Sequence, residues 1–220
     1  MVYKRILFCL FQLVVAGTLF GQNHPNKFDR YDGPFMDGLK NGNFKIYSEF
    51  NQFVCEGSYS NDTMIGAWKF YHENTGKIIS KGNYLNGLKS GEWEMYSAKG
   101  TVPSGNYIDG KKVGEWKTIR NDSIFEFSFY NENGAMQGYS FTKFDDGSVK
   151  QEIVYDNGQP TDSLRIYYPN GILRAKCDFG IGEVDTTYEY NIDGELDYFH
   201  FPLDSNRIKL VYPDGEEIIK

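Results

Sequence analysis

The sequence predicts an all-β fold: an elongated, open antiparallel sheet in which about eight β-hairpin repeats follow one another as a meander. Three observations predict this fold, namely a recurring sequence unit, tight-turn dipeptides and short aromatic runs between them. The clearest pair of units is GNYLNGLKSGEW (82–93) and GNYIDGKKVGEW (105–116), which begin 23 residues apart. A fixed period of about 20–50 residues is the signature of a repeat architecture, in which each unit stacks on its neighbours.

The unit recurs on both sides of this pair with decreasing fidelity. Residues 57–71 (GSYSNDTMIGAWKFY) keep the frame, and residues 37–47 (DGLKNGNFKIY) carry Phe44 at the tryptophan position. The fainter copies are FYNENGAM (129–136), YDNGQPTDSLRIYYPNGIL (155–173), YEYNIDGEL (188–195) and LVYPDGEEI (210–218). Each unit takes about 20–26 residues, a length typical of stacked repeats.

The turn residues indicate how a unit folds. Asn-Gly or Asp-Gly dipeptides occur eleven times between residues 32 and 215, and they favour the positive-φ turns that join antiparallel strands. The runs between them are rich in Tyr, Phe, Trp, Ile and Val, which suit strands. In AWKFY, Trp68 and Phe70 share one face of the strand, and Lys69 and Tyr71 share the other.

The first segment, residues 1–21, has the pattern of a secretory signal peptide. Lys4 and Arg5 precede an apolar run from Ile6 to Phe20, and Gly21 offers a small residue for cleavage. Fifteen helical residues span only about 22 Å, less than a hydrocarbon core of about 30 Å. The prediction is therefore an exported protein that is periplasmic, cell-surface or secreted; an uncleaved anchor is the alternative. Cys9 lies inside the apolar run, which argues against lipid attachment at a mature N-terminus.

The remaining chain divides into well-preserved repeats (22–127) and degenerate acidic repeats (128–220), which we expect to continue the same sheet. Removal of residues 1–21 takes the net charge from −7 to −9. Residues 58–119 carry eight Lys against six acidic residues, whereas residues 120–220 carry nine Lys or Arg against nineteen Asp or Glu. A body this acidic should be repelled by nucleic acid and should not bind anionic lipid strongly.

The pattern Gly-x-Tyr-x-x-Gly-x-x-x-Gly-x-Trp resembles the MORN-type repeat, in particular the bacterial variant known as the YwqK-family antitoxin. The fit is close over residues 57–119 and partial over 31–56; over 128–220 the turns persist, but the Gly-x-Trp element is gone. The resemblance implies a stack of β-hairpins. It implies little about activity, because such repeats serve as adaptors and attachment surfaces.

Two cysteines, Cys55 and Cys177, fall in units that lie far apart along the predicted meander. Ten intervening strands at about 4.8 Å each would separate them by roughly 48 Å. A disulfide needs Cα atoms within about 7 Å. We therefore expect the two cysteines not to be bonded to each other, provided that the sheet stays open.

Tryptophan recurs once in each well-preserved unit. Trp68, Trp93 and Trp116 could form a row of flat surfaces for a glycan or an extended peptide, or they could be a repeated core residue. We favour the core, because a single thin sheet needs aromatic bulk to bury anything.

A glycine precedes each of these tryptophans by two positions: Gly66, Gly91 and Gly114. These glycines could open the backbone to a ligand. The more economical interpretation is a turn or bulge in which a Cβ atom would clash.

The candidate binding strip is formed by tyrosines. Alternation places Tyr47, Tyr71 and Tyr96 on the face opposite the tryptophans. Tyrosine presents an apolar ring with a polar tip, which suits an exposed binding surface.

No pattern in the sequence points to catalysis, a metal or a cofactor. His24, His72 and His200 have no second His or Cys at metal-ligand spacing, and no nucleophile elbow, phosphate loop or HExxH motif occurs. The acidic stretches 144–148 and 183–197 match no calcium loop. Calcium binding by these acidic stretches and a Ser/His/Asp site assembled across repeats are the remaining alternatives.

These observations predict an exported, non-enzymatic repeat protein that acts as a protein-interaction or scaffolding surface in the cell envelope. A partner protein would add along a free edge strand or lie across the aromatic face. Two alternatives stay open: a carbohydrate-binding module that uses an aromatic strip, and an antitoxin-like neutraliser of an exported toxin, as the family resemblance implies.

Overall fold

A computed structural model of the chain describes residues 28–97, 102–179, 184–204 and 207–220. The predicted signal peptide lies outside these residues. The described part contains strands and turns and no helix, so the all-β prediction is confirmed. The strands are β1 Phe28–Asp32, β2 Phe35–Met36, β3 Leu39–Lys40, β4 Gly42–Ser48, β5 Phe53–Ser60, β6 Thr63–Tyr71, β7 Ile78–Leu85, β8 Leu88–Met95, β9 Val102–Ile108, β10 Lys111–Arg120, β11 Ser123–Tyr130, β12 Gly138–Lys143, β13 Val149–Asp156, β14 Gln159–Pro160, β15 Leu164–Tyr167, β16 Leu173–Phe179, β17 Val184–Tyr190, β18 Leu196–Pro202, β19 Ile208–Val211 and β20 Glu217–Ile219.

Eighteen of these strands form one antiparallel sheet, and β2 and β3 form a separate small hairpin. Pairing follows chain order: β1 pairs with β4, each strand pairs with the next from β4 to β13 and from β15 to β20, and β13 pairs with both β14 and β15. The sheet is open, with β1 and β20 at its ends. The pairing of β11 with β12 joins the two halves of the chain. Residues 128–220 therefore continue the sheet of the well-preserved repeats.

The tight turns are of two kinds. In the two-residue turns both central residues have positive φ, as at Asn86 (50°) and Gly87 (79°). Both residues of Asn61-Asp62 and of Asn121-Asp122 also have positive φ, although neither pair contains glycine. A search for Asn-Gly and Asp-Gly therefore does not find these two turns. In the longer turns of residues 128–220 only the glycine has positive φ, and its amide donates back three residues, as from Gly171 to Tyr168 (2.9 Å); Asn51 takes the glycine's place in the turn between β4 and β5. The longer turns are concentrated in residues 128–220.

A wide bulge marks each well-preserved hairpin. Between β5 and β6, Glu56 faces Lys69 and Ser58 faces Ile65, so Gly57 alone opposes three residues of the other strand, 66–68. The same one-against-three count occurs between β7 and β8 and between β9 and β10. Bulges bend a strand and re-aim its side chains. The Gly-x-Trp element lies in this bulge in all three hairpins.

The buried side chains lie on one side of the sheet, the inner face, which carries Trp68, Trp93 and Trp116; the outer face is the opposite side, which carries Lys69, Glu94 and Lys117. The core forms two clusters, an aromatic one over β4–β10 and an aliphatic one over β13–β16. Cys55 lies in the first cluster and Cys177 in the second, and no disulfide joins them. Within the described ranges, no helix exists that could cross a membrane.

Candidate functional site

The three tryptophans are core residues, with only 1%, 1% and 5% of Trp68, Trp93 and Trp116 exposed. Each ring lies flat on a glycine of the preceding strand, where a Cβ atom would come within 2.5 Å of the ring. These glycines are Gly57, Gly82 and Gly105. The Gly-x-Tyr glycine of the repeat is therefore required by the tryptophan that follows it, and the buried rings offer no platform to a ligand from solvent.

Tyrosines of the same repeats separate the tryptophans. Tyr84 meets Trp68 and Trp93 edge to face, with ring centroids 6.0 and 5.2 Å apart. The edge-to-face geometry is the one that the ring quadrupoles favour. Trp93 Nε1 donates to the carbonyl oxygen of Asn83 (3.0 Å). The series runs through Phe44, Tyr59, Trp68, Tyr84, Trp93, Tyr107, Trp116 and Tyr130.

The Gly-x-Trp glycines lie in a bulge, as expected, but the expected clash is absent. Gly66, Gly91 and Gly114 have φ of 65°, 66° and 66°, as a bulge requires. A Cβ atom at any of them would meet nothing within 4 Å, so a clash is not the reason for glycine. The reason is the left-handed backbone, which costs other residues about 1–2 kcal/mol.

Lysines cover the exposed side of two tryptophan rings. Lys89 Nζ lies 4.4 Å from the centroid of Trp93, and Lys112 Nζ lies 4.2 Å from that of Trp116. Burial lowers the pKa of both lysines, and the charge of Lys112 lowers that of Lys89 further. Met64 holds the equivalent position, four residues before Trp68, and packs on the same cluster.

The candidate binding strip lies on the outer face, as alternation predicts, but its composition differs. Tyr47 and Tyr71 are half-buried, and Phe53 joins them, with ring centroids 5.7 Å from Tyr47 and 4.7 Å from Tyr71. The Arg30 guanidinium lies 3.9 Å above the Tyr47 ring. Phe53 escaped sequence reasoning because a register shift beside Tyr47 turns it to this face. We call Tyr47, Phe53 and Tyr71 the aromatic strip.

Polar groups fix one end of the aromatic strip. The Tyr71 hydroxyl donates to Glu56 Oε1 (2.7 Å), and Lys69 Nζ lies 3.8 Å from the same oxygen. Burial, together with the Glu56 carboxylate, raises the pKa of Tyr71 to about 12. The phenol is therefore neutral at physiological pH and acts as a hydrogen-bond donor, not as an acid or a nucleophile.

Tyr96 lies apart from the aromatic strip. It follows β8, and its hydroxyl donates to Glu94, which also accepts from Lys81 Nζ (3.1 Å). The hydrogen bond to Glu94 raises the pKa of Tyr96 and, in turn, lowers the pKa of Glu94. The three predicted tyrosines thus form two separate groups on the outer face.

A second aromatic group on the outer face had no sequence-based prediction. Phe127 faces Phe141 across β11 and β12, with nearly parallel rings 5.8 Å apart, and Tyr139 lies 5.7 Å from Phe141. Phe129 and Tyr139 are 39% and 44% exposed. The signal was the alternation of phenylalanines in SIFEFSFY (123–130). We call Phe127, Phe129, Tyr139 and Phe141 the central patch.

The inner face of the C-terminal half holds an unusual polar pair. Thr187 and His200 face each other across β17 and β18 and are 1% and 5% exposed. Thr187 Oγ1 and His200 Nε2 have no hydrogen-bond partner within the described residues. Burial lowers the pKa of His200, so the imidazole is neutral at physiological pH. No group of three or more His, Cys, Asp or Glu side chains suited to a metal occurs among residues 28–97, 102–179, 184–204 and 207–220.

No family model and no curated protein matches the chain. Solved structures do match, among them the wild-type TCP10 domain of CPAP from Danio rerio, with 16% sequence identity, 88% of this chain covered and 94% of that chain. The TM-score of this match is 0.25, which is too low to carry an argument about fold or function. The resemblance to the MORN-type repeat therefore stays a prediction from the sequence.

Proposed function

We propose that the chain is an exported, non-enzymatic repeat protein whose outer face serves as a protein-interaction or scaffolding surface in the cell envelope. The observation that carries this proposal is the aromatic strip. Its rings contact one another on the face that does not build the core, and Tyr71 is held in place by Glu56. A fixed aromatic surface binds at a low cost in side-chain entropy.

The chemistry of the strip suits a protein partner. Tyrosine and arginine are over-represented among the residues that dominate binding energy, and here Arg30 lies on the ring of Tyr47. Phe50, 71% exposed, lies in the turn that connects the strands of Tyr47 and Phe53 and extends the apolar surface beyond the sheet. Lys69 and Glu56 supply charges of both signs beside the rings. We infer an extended peptide segment with apolar side chains as the partner's contact.

The sheet supports this role mechanically. Antiparallel pairing along the whole described chain holds side chains of the outer face at steps of about 4.8 Å. A repeat sheet of this kind presents an extended surface and needs no cavity. Export rests on the pattern of residues 1–21 alone.

Affinity capture with matched variants tests the proposal. The chain from Gln22 to Lys220, immobilised at low salt, is expected to retain one or more envelope proteins. Tyr71→Ala should abolish that retention, because it removes the end of the strip and the donor to Glu56. Tyr188→Ala, on the outer face beside Phe199 in the C-terminal half, should leave it intact. Equal retention by both variants, or none by the unmodified chain, contradicts the proposal.

The carbohydrate-binding alternative would use the same strip, and not the three tryptophans, which are buried. It predicts that soluble glycans change the tyrosine emission of the chain and that Tyr71→Ala removes this change. The antitoxin-like alternative stays a prediction of the family resemblance.

A further inference from the structure

The central patch lies in the middle of a row of outer-face residues that face one another from strand to strand. Lys117 on β10 faces Phe127 on β11, Phe127 faces Phe141 on β12, and Phe141 faces Glu152 on β13. The row therefore reads cation, ring, ring, anion. This order has opposite charges at equal distances on either side of its centre, which lies between β11 and β12.

We propose that two copies of this chain associate through the central patch, with their outer faces together and a two-fold axis parallel to the strands between β11 and β12. Rotation about this axis places Phe127 of one copy over Phe141 of the other, and Lys117 over Glu152. The proposal goes beyond the partner surface proposed above and does not depend on it, because it uses different strands.

The charges select this orientation. A two-fold axis perpendicular to the strands would place each strand over itself, so that Lys117 would meet Lys117 and Glu152 would meet Glu152. Like charges in direct contact across an interface cost several kcal/mol. The parallel axis replaces both repulsions with attractions. Two strands further out on each side, beyond the central strands, the same row carries Glu94 and Lys176, again of opposite charge.

The rings supply the apolar part of the contact. Phe129 and Tyr139 are 39% and 44% exposed in the single chain, although both are large side chains. They lie two residues from Phe127 and Phe141 on the same face of the same strands, so the operation also brings Phe129 over Tyr139. An interface with aromatic residues at its centre and charges around them has the composition usual for protein–protein contacts.

The charged groups are held in place before association. Lys117 Nζ lies 2.5 Å from Glu115 Oε2, and the Glu152 carboxylate accepts from the Tyr139 hydroxyl (2.5 Å) and the Tyr167 hydroxyl (2.6 Å). A carboxylate has about four acceptor sites, so Glu152 can accept from a lysine of a second copy without losing either tyrosine.

The sheet's twist limits the size of the contact. Neighbouring strands rotate by about 20–25°, so two such sheets meet only over a few central strands. Four strands at about 4.8 Å, each about seven residues long at about 3.4 Å per residue, give roughly 450 Å² per copy. A standard interface buries about 800 Å² per partner. The expected dimer is therefore weak and concentration-dependent.

Analytical ultracentrifugation tests the proposal with the chain from Gln22 to Lys220, which contains every described strand. Between about 1 μM and about 1 mM, the unmodified chain should pass from monomer to dimer. Lys117→Glu and Glu152→Lys should each weaken the dimer at least about tenfold, because each creates two pairs of like charges, one on either side of the axis. The combined variant exchanges the two signs and should restore the dimer to within about threefold.

Lys77→Glu is the matched control, since it makes the same charge change in the turn between β6 and β7, away from the patch; it should leave the dimer unchanged. Zero-length crosslinking of mixed isotope-labelled and unlabelled chains gives a second measurement, in which Lys117 of one copy should be joined to Glu152 of the other. A chain that stays monomeric throughout, a combined variant no better than the single ones, or a dimer without this crosslink would overturn the proposal. Capture of an envelope protein is a separate readout, so either proposal can fail alone.

Discussion

The two halves of the sheet cover its inner face with different side chains. In residues 28–127, a tryptophan on one strand lies on a glycine of the preceding strand, so the largest side chain alternates with a residue that has none. In the C-terminal half, the inner-face row instead uses a medium-sized side chain on every strand, with no glycine beneath a ring. This row runs through Leu164, Cys177, Thr187, His200 and Leu210.

The comparison explains why the motif fades while the fold does not. The Gly-x-Trp element belongs to the wide bulge, and the strand pairs of residues 128–220 show single-residue register shifts instead. Without the bulge there is no need for its glycine, and the tryptophan has no glycine to lie on. Strand pairing, which depends on the backbone, continues from β11 to β20. A repeat can therefore lose its signature residues together and retain its architecture.

The largest effect is expected from breaking the tryptophan–glycine contact. Gly82→Ala would place a Cβ atom 2.2 Å from the Trp93 ring, which is enclosed by its neighbours and cannot withdraw. Overpacking of this kind costs typically 1–3 kcal/mol and occasionally more, and we expect about 3 kcal/mol of unfolding free energy to be lost. Urea unfolding followed by tryptophan emission measures it.

Gly91→Ala is the control in the same hairpin. Its Cβ atom would meet nothing within 4 Å, and only the positive φ of 66° opposes it. The expected loss is about 1–2 kcal/mol. If Gly91→Ala loses as much unfolding free energy as Gly82→Ala, or more, the ring contact is not what requires glycine at position 82.

Much of the fold could be predicted from the sequence, because the repeat and the turn residues depend on local rules. The antiparallel meander is a clear case, since Asn86-Gly87 and similar pairs specify how adjacent strands join. The side chains at the bulges could not be predicted in the same way. Gly82 was visible in the repeat, but its role requires knowing that Trp93 folds back across the strand. Phe53 was missed because a one-residue register shift reverses the face of every residue beyond it.

The second prediction concerns the polar pair of the C-terminal half. Burial holds the folded-state pKa of His200 below its ordinary value of 6.5. The folded state therefore binds fewer protons than the unfolded state below pH 6.5, so stability is full above that pH and falls as the pH decreases towards the folded pKa. One proton gives a slope of at most about 1.4 kcal/mol per pH unit. His200→Phe should remove this loss, measured by urea unfolding and far-UV circular dichroism at several pH values.

Glu189, on the same strand as Thr187, provides a control, because its pKa shift changes stability with pH in the opposite direction. Burial raises the pKa of the Glu189 carboxyl above 4.5, so ionisation there lowers stability as the pH rises from 4.5 towards the folded pKa. Glu189→Gln should therefore make the unfolding free energy fall more steeply as the pH decreases. His200→Phe should have the opposite effect and remove this fall. Tryptophan emission, which reports only residues 68–116 of the other half, should be insensitive to both changes if the C-terminal strands loosen locally. A pH dependence unchanged by His200→Phe would contradict this assignment.

The smallest effect is expected where the well-preserved repeats differ among themselves. Lys89 and Met64 occupy the same position, four residues before a tryptophan. Lys89 gains a cation–π contact with Trp93, yet burial and the charge of Lys112 lower its pKa, so both of these oppose the charged form. A buried thioether meets no such cost. We therefore expect Lys89→Met to raise the unfolding free energy at pH 7 by about 0.5–1 kcal/mol, and Met64→Lys to lower it by a similar amount.

The pH dependence separates this explanation from simple packing. Because the folded-state pKa of Lys89 lies below 10.5, the unmodified chain gains stability as the pH rises from that folded value towards 10.5. The advantage of Lys89→Met should therefore shrink over that range, and denaturant unfolding at neutral and alkaline pH measures the difference. If Lys89→Met is instead destabilising at pH 7, the cation–π contact outweighs desolvation. In that case the lysines, and not the methionine, are the better cover for the tryptophan rings.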